Sequence, residues 1–192
     1  MKKIFILVFI LILGFTLFTA CKSNETKSTN KIQEINIEKL IEYKDSYVGD
    51  NSAVGGILYN LPGNIYVKQF SLQTNTEPYG IKVDYGLQEN SNLKEEDFDK
   101  YWNSESVENI FLNNATTLFI LVKNVDKVEF ELDTPNKQSF TITRKELETF
   151  YGKDLREYSR DTSLWEKEVL KGVINSSEKV EEFFKSHNIT VE

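Results

Sequence analysis

The stretch that decides the fold is VENIFLNNATTLFILVKNVDKVEFEL, residues 107–132. Apolar residues recur at helical spacing from 107 to 125, which predicts an amphipathic helix of about five turns. Residues 127–132 instead alternate charged and apolar side chains, as in a strand with one buried face. We therefore predict a long helix followed at once by a strand. Residues 116–122 can also be read as strand, so the end of the helix stays open.

Two pairs of short apolar runs predict β-hairpins on either side of the long helix. Residues 65–73 and 79–87 are rich in aromatic and β-branched side chains and are joined by the turn-forming residues 74–78. The strand at 127–132 is turned by DTPN into a partner at 139–143. Two hairpins with interspersed helices predict an α+β fold with one antiparallel sheet.

The remaining segments predict further helices, about five in all. Capping residues precede several of them, and two pairs, Thr143 with Glu146 and Ser163 with Glu166, have the spacing of a capping box. The predicted helix starts are Asn36 before Ile37, residues 50–52 before Val54, Thr143 and Ser163. A last helix is predicted from the shared apolar face of Val180, Phe183 and Phe184.

The first thirty residues have the order of an export signal. Residues 1–3 are MKK, residues 4–18 are almost wholly apolar, and residues 18–21 read FTAC. The apolar run is shorter than the roughly 20 residues that a membrane span needs, and its length and flanks suit a signal peptide. Small residues before Cys21 resemble a bacterial lipobox, although Phe18 stands where leucine is usual. The alternatives are an ordinary secretory signal and an uncleaved anchor helix.

These features predict three parts of the chain. Residues 1–20 form a lipoprotein signal peptide, residues 21–30 a lipidated Cys21 with a polar tether, and residues 31–192 a single α+β domain. We expect the protein on the extracytoplasmic face of the cell membrane, held through lipid on Cys21 in an envelope of Gram-positive type. Two acyl chains suffice for stable anchoring.

Composition limits the partners and the chemistry. The formal net charge is −7, and removal of Lys2 and Lys3 with the signal peptide makes it −9. Nucleic acid needs a basic face, so we expect no nucleic-acid binding. Cys21 is the single cysteine and His187 the single histidine. Zinc sites need clusters of these residues, so we predict no metal and no cofactor.

No motif in the chain points to catalysis. His187 lies near the C-terminus at a predicted helix end, where a histidine is favoured electrostatically. The leading hypothesis is therefore a non-enzymatic lipoprotein that binds or senses a protein, a peptide or another envelope component. The alternatives are a glycan hydrolase that uses two carboxylates and an accessory subunit of a membrane complex.

One constellation suggests a binding site. Asp50, Asn51 and Ser52 follow Gly49 at a predicted helix start, where free backbone N–H groups attract anions or carbonyl groups. The alternative is that Asp50 or Ser52 only caps the helix. We predict that Asp50, Asn51, Ser52 and Tyr79 form one surface site, in which the turn at Gly49–Ser52 meets the hairpin loop at Glu77–Gly80.

Several ordered blocks are similar to one bacterial family, the domain of unknown function 4825. They are YKDSYVGDNS at 43–52, LP at 61–62, LQT at 72–74, EPYG at 77–80, NA at 114–115, LF at 118–119 and NVD at 124–126. The resemblance covers about residues 40–132. The family has no established activity, and the resemblance implies an extracytoplasmic sensing or binding module.

Overall fold

The computed structural model describes residues 35–89 and 91–192, and the predicted α+β class is confirmed there. The predictions for residues 1–20 and 21–30, including lipid on Cys21, lie outside the described residues. Within the described ranges, no helix has both the length and the apolar character needed to cross a membrane.

Five strands and seven α-helices occur in the part of the chain that the structure describes. The strands are β1 (Val67–Gln73), β2 (Gly80–Tyr85), β3 (Lys127–Leu132), β4 (Gln138–Thr143) and β5 (Thr190–Val191). The helices are α1 (Ile37–Leu40), α2 (Asn51–Tyr59), α3 (Glu95–Tyr101), α4 (Ser104–Leu121), α5 (Arg144–Tyr151), α6 (Thr162–Leu164) and α7 (Ser177–Phe184). A 3-10 helix at Leu155–Ser159 and a π-helix at Trp165–Ile174 join the last helices.

The strands form one sheet in the order β1-β2-β3-β4-β5, and the sheet is mixed. Both predicted hairpins pair antiparallel, but β2 and β3 run parallel, with Gly80 opposite Lys127 and Tyr85 opposite Leu132. The prediction of a purely antiparallel sheet is therefore wrong. The reason is the crossover through α3 and α4, which returns the chain to the same end of the sheet before β3 begins.

Helix α4 forms the centre of the core. It ends at Leu121, so the prediction of helix through Val125 is wrong, and so is the alternative of a strand from Thr116 to Val122. Every residue from Ile110 to Val122 is buried. Such a helix needs cover on all sides, and the sheet covers one of them with Val83, Phe130 and other apolar side chains.

The opposite face of the sheet is polar. Lys82 lies in the middle of it, with its Nζ 3.6 Å from a Glu129 oxygen and 3.8 Å from an Asp84 oxygen. It also pairs with Glu131, which lowers the pKa of that carboxyl group through a hydrogen bond. The alternation seen in the sequence is therefore confirmed, with apolar residues inward and charged residues outward.

The C-terminal helices follow the sequence signals in part. The capping box of Thr143 and Glu146 is confirmed at the start of α5, which ends at Gly152 with φ +73°. The second predicted box is wrong, because the N-cap is Asp161, whose Oδ1 accepts the N–H of Leu164, and Ser163 lies inside α6.

Candidate functional site

The turn at Gly49–Ser52 begins α2. Asp50 is the N-cap, and its Oδ1 accepts the N–H of Ala53 at 2.9 Å. Capping therefore accounts for the residue type at Asp50. Asn51 and Ser52, in the first turn of α2, are exposed.

The segment before this turn is fixed to the connection between α4 and β3. The N–H of Val48 donates to Asn124 Oδ1 at 2.8 Å. Two backbone bonds add to it: Ser46 donates to Leu121 at 3.2 Å and accepts from Lys123 at 2.8 Å. These bonds hold the segment before the turn without using the exposed side chains of Tyr47, Asn51 and Ser52.

Tyr79, the other predicted site residue, is bound to the same connection. Its N–H donates to Asp126 Oδ2 at 3.1 Å, and its carbonyl accepts from the N–H groups of Asp126 at 2.9 Å and Lys127 at 3.1 Å. The side chain of Tyr79 is half-buried. The peptide bond between Glu77 and Pro78 just before it is cis.

These bonds bring the two predicted turns to one connection, Val122–Asp126. Asn124 and Asp126 are two residues apart, so their Cα atoms are at most about 7 Å from each other. Asn124 holds the first turn and Asp126 the second. That Asp50, Asn51, Ser52 and Tyr79 act together in binding stays a prediction.

Arg144 supports the connection from inside the molecule, and the sequence analysis missed it. The residue is 8 % exposed. Its guanidinium donates to three carbonyl oxygens: Nη2 to Val122 at 2.7 Å, Nη1 to Phe119 at 2.8 Å and Nε to Val125 at 2.9 Å. A signal was present, since Arg144 shares a helix face with Leu147 and Tyr151 by spacing, and a cation on that apolar face needs buried partners.

An exposed aromatic side chain marks the outer surface of this region. Tyr47 is 56 % exposed, and Lys123 Nζ lies 5.8 Å from the centre of its ring. The same ammonium group is 3.2 Å from Asp45 Oδ1. Asp45 has φ +65°, an uncommon backbone conformation outside glycine. We call the exposed side chains of Asp45, Tyr47, Asn51, Ser52 and Lys123, together with Tyr79, the Asn124 surface.

Other residues that carry the resemblance have structural tasks. Asn114 is fully buried in α4, and its Nδ2 donates to the Pro62 carbonyl at 2.9 Å and to the Tyr85 hydroxyl at 3.0 Å. Burial raises the pKa of Tyr85, so its phenol stays protonated. Asn114 and Pro62 therefore fix the packing of α4 on the loop before β1 and on β2.

Nothing in the described residues adds a metal centre to this surface. Within 35–89 and 91–192, no three His, Cys, Asp or Glu side chains lie together as metal ligands would. The Asn124 surface offers an aromatic ring, amide and hydroxyl groups and one ion pair.

A comparison with family models finds one match to this chain. The model described as Domain of unknown function (DUF4825) matches residues 40–143, more than half of the chain. The match extends the predicted range of 40–132 through β4, and it includes both turns of the Asn124 surface. No curated protein and no solved structure matches the chain significantly.

Proposed function

The chain belongs to the DUF4825 family, and from that premise we propose that it is a lipid-anchored, non-enzymatic module that binds an envelope protein or peptide. Cys21 carries the lipid, and the Asn124 surface makes the contact. The observation that carries this proposal is Tyr47, an exposed aromatic ring beside a turn whose backbone is already fixed by Asn124.

The anchoring rests on the sequence of the first thirty residues. A basic start, a short apolar run and a cysteine after small residues occur in the order that a lipoprotein signal requires. The first helix begins at Ile37, capped by Asn36, so a polar segment separates Cys21 from the domain. This arrangement would place the domain outside the membrane with room to reach a partner.

The binding role rests on preorganisation and exposure. A turn that is already ordered loses little conformational entropy when a partner binds. Tyrosine is enriched at binding hot spots, because its ring offers a large contact area and its hydroxyl a hydrogen bond. Tyr47 combines these properties with exposure, and Asn51 adds an exposed amide group.

The acids on the charged face of the sheet do not have the arrangement of a glycosidase. A glycosidase needs one carboxyl group with a raised pKa opposite a second carboxylate. Glu129 and Glu131 instead surround Lys82, and the pKa of Glu131 is lowered. These acids fit a solvated surface of paired charges.

The lipid anchor is tested with Cys21→Ala in cells fed a fatty-acid analogue that can be labelled. We expect the label and the membrane fraction on the wild type and neither on the variant. Equal labelling of both proteins would contradict the anchor.

The binding surface is tested by a photo-crosslinking amino acid at Ser52 in intact cells. We expect a discrete crosslinked product that is lost with Tyr47→Ala. Tyr59→Ala is the matched control, since Tyr59 is also exposed, at 66 %, but lies at the far end of α2. If the two variants change the product equally, the Asn124 surface does not bind the partner.

A further inference from the structure

The two edges of the sheet differ in length. Natural proteins protect a sheet edge from pairing with another chain by short strands, charged side chains, proline or a bulge. At one edge lies β5, which has only two residues, and beyond it Glu146 accepts the N–H of Thr143 at 2.8 Å. At the other edge lies β1, which has seven residues. The edge at β1 is therefore the one that is long enough to accept a further strand.

The first part of β1 is protected. Its register with β2 shifts between Val67 and Gln69, which marks a bulge at the exposed residue Lys68. The Gln88 side chain donates to the Val67 carbonyl at 3.0 Å. Lys68 Nζ lies 2.8 Å from Asp133 Oδ2. A bulge, a charge and a bound carbonyl thus blunt the edge where β1 begins.

The remainder of β1, residues 69–73, lacks such protection, and we call it the QFSLQ segment. It contains no charge, proline or glycine, and it pairs with β2 without a break in register. In a paired strand, every second residue directs its N–H and C=O away from the partner strand. Within residues 35–89 and 91–192, these outward groups of the QFSLQ segment form no hydrogen bond. The edge is open here.

The QFSLQ segment is complementary to a second copy of itself. In an antiparallel pair of two copies about Ser71, Phe70 of each copy lies opposite Leu72 of the other. Gln69 likewise lies opposite Gln73. Opposite residues point to the same face of the sheet, so the half-buried apolar side chains meet on the inner face and the exposed polar ones on the outer face. No charge is buried by this pairing.

We propose that the QFSLQ segment is an interface with a second copy of this chain, in which the two β1 strands pair antiparallel about a two-fold axis at Ser71. A two-fold interface uses the same patch on both copies, so it requires a self-complementary segment of this kind. Backbone hydrogen bonds supply the affinity, and the alternating side chains set the register. The interface uses no residue of the Asn124 surface and does not depend on the partner or the lipid proposed above.

The pairing is tested by disulfide crosslinking in intact cells that express the full chain and are treated with the membrane-permeant oxidant diamide. Opposite residues of antiparallel strands have Cα atoms about 4.5–5.5 Å apart, a distance that a disulfide bridges. Ser71→Cys should therefore give a dimer. The matched control is Thr141→Cys, an exposed residue of β4 in the same row across the sheet. The wild type gives the background from Cys21.

Two further cysteine variants test the register. Gln69→Cys alone and Gln73→Cys alone should give no dimer, because each residue lies roughly 13 Å along the strand from its own copy, beyond the reach of a disulfide. Two differently tagged chains, one with each variant, should crosslink to each other when they are expressed together. All these positions are exposed, so the substitutions leave the core intact.

A charge exchange at Ser71 tests the two-fold axis with this tagged pair. Ser71→Glu in both chains places two carboxylates opposite each other and should lower the crosslink yield about threefold. Ser71→Lys in both chains should lower it for the same reason. Ser71→Glu in one chain and Ser71→Lys in the other should restore the yield, which a loss of folding would not do.

Four results would overturn the proposal. The first is no dimer of Ser71→Cys above the wild-type background. The second is an equal yield from Thr141→Cys. The third is as much dimer from Gln69→Cys alone as from the tagged pair. The fourth is a product of Ser71→Cys with a different protein in place of the dimer, which would assign the edge to another chain.

Discussion

Residues 40–143, which the family model matches, differ in task from residues 144–192, which follow the match. The matched part contains four strands, the central helix α4 and both turns of the Asn124 surface. The later part contributes Arg144 and a layer of buried apolar side chains, among them Leu155, Trp165 and Phe183. The matched part therefore carries the proposed binding surface, and the later part completes the core on which that surface rests.

The contacts between the two parts explain why α4 is buried all around. Phe140 of β4 lies 5.3 Å from Phe184 and 6.4 Å from Phe183, measured between ring centres. Asn109 of α4 donates to the carbonyl of Ile174. A chain that stopped at the end of the family match would expose these apolar surfaces to water, at a cost of about 25 cal/mol for each Å².

The largest effect is expected from removing the later part. A chain of residues 35–143 should show no cooperative thermal unfolding by near-ultraviolet circular dichroism. The matched control ends at Ile189, so that it keeps this partly buried side chain and lacks β5, whose two residues are exposed. This control should lose only about 1 kcal/mol, the scale of the hydrogen bonds to β4. A cooperative transition for residues 35–143 would show that the matched part folds alone.

The next effect concerns Arg144, whose side chain links the two parts. Arg144→Met should lower the free energy of unfolding by about 3 kcal/mol or more, because three buried carbonyl groups lose their donors. Arg144→Lys should recover part of this loss, since an ammonium group keeps the charge without the planar fork. Chemical denaturation measures both. A loss below about 1 kcal/mol for Arg144→Met would mean that water replaces the guanidinium.

Two glycines with positive φ, one in each part, allow the two parts to be compared directly. Gly63, in the matched part, has φ +81°, and a Cβ there would lie 2.9 Å from the Trp102 ring. Gly152, in the later part, has φ +73° and nothing within 4 Å of such a Cβ. Gly152→Ala should cost about 1 kcal/mol for the backbone alone, and Gly63→Ala about 2–4 kcal/mol because of the added overlap. Equal losses would show that Trp102 moves aside.

A smaller effect depends on pH and lies in the later part. Arg156 lowers the pKa of Asp154 from 3.8 to about 2, chiefly through a side-chain hydrogen bond. The folded pKa is below the unfolded one, so this carboxylate stabilises the protein above about pH 4, and the stabilisation is lost as the pH falls towards 2.

Asp154→Asn therefore should lower the free energy of unfolding at pH 7 by at most about 1 kcal/mol, since the side chain is 39 % exposed. The difference from the wild type should shrink towards pH 2. Denaturation at pH 7, 4 and 2 measures it, with Glu157→Gln as an exposed neighbouring control. A difference that stays constant with pH would show that the charge of Asp154 does not contribute to stability.

The contrast between the two parts also shows what the sequence could predict. The alternation in β2 and β3, a helix cap within residues 50–52 and the capping box of α5 were predicted correctly. Each of these depends on residues within a few positions of one another. The parallel pairing of β2 with β3 depends on the packing of a long crossover, which spacing within a strand does not encode.

Three other features were predicted wrongly or missed. Apolar residues continue the helical period through Val125, yet α4 ends at Leu121, where Arg144 and Ser46 engage the backbone that follows. The π-helix escaped prediction because its apolar pattern resembles that of an α-helix. In the candidate site, Tyr47 and Lys123 were missed as contact residues, since their exposure depends on how distant segments meet.

The smallest effect on stability separates capping from binding at α2. Asp50→Ala removes the acceptor for the Ala53 N–H and should cost about 1 kcal/mol. Asn51→Ala changes an exposed neighbour and should stay within about 0.5 kcal/mol. If the Asn124 surface binds a partner, however, Asn51→Ala should reduce crosslinking from Ser52 although the melting temperature is unchanged. Asp50→Ala removes the cap, and it should reduce crosslinking only to the extent that the turn becomes disordered. Thermal unfolding and crosslink yield are measured on the same preparations. If both variants lose yield only in proportion to stability, the turn is a helix cap alone, and the binding surface must be sought elsewhere on the domain.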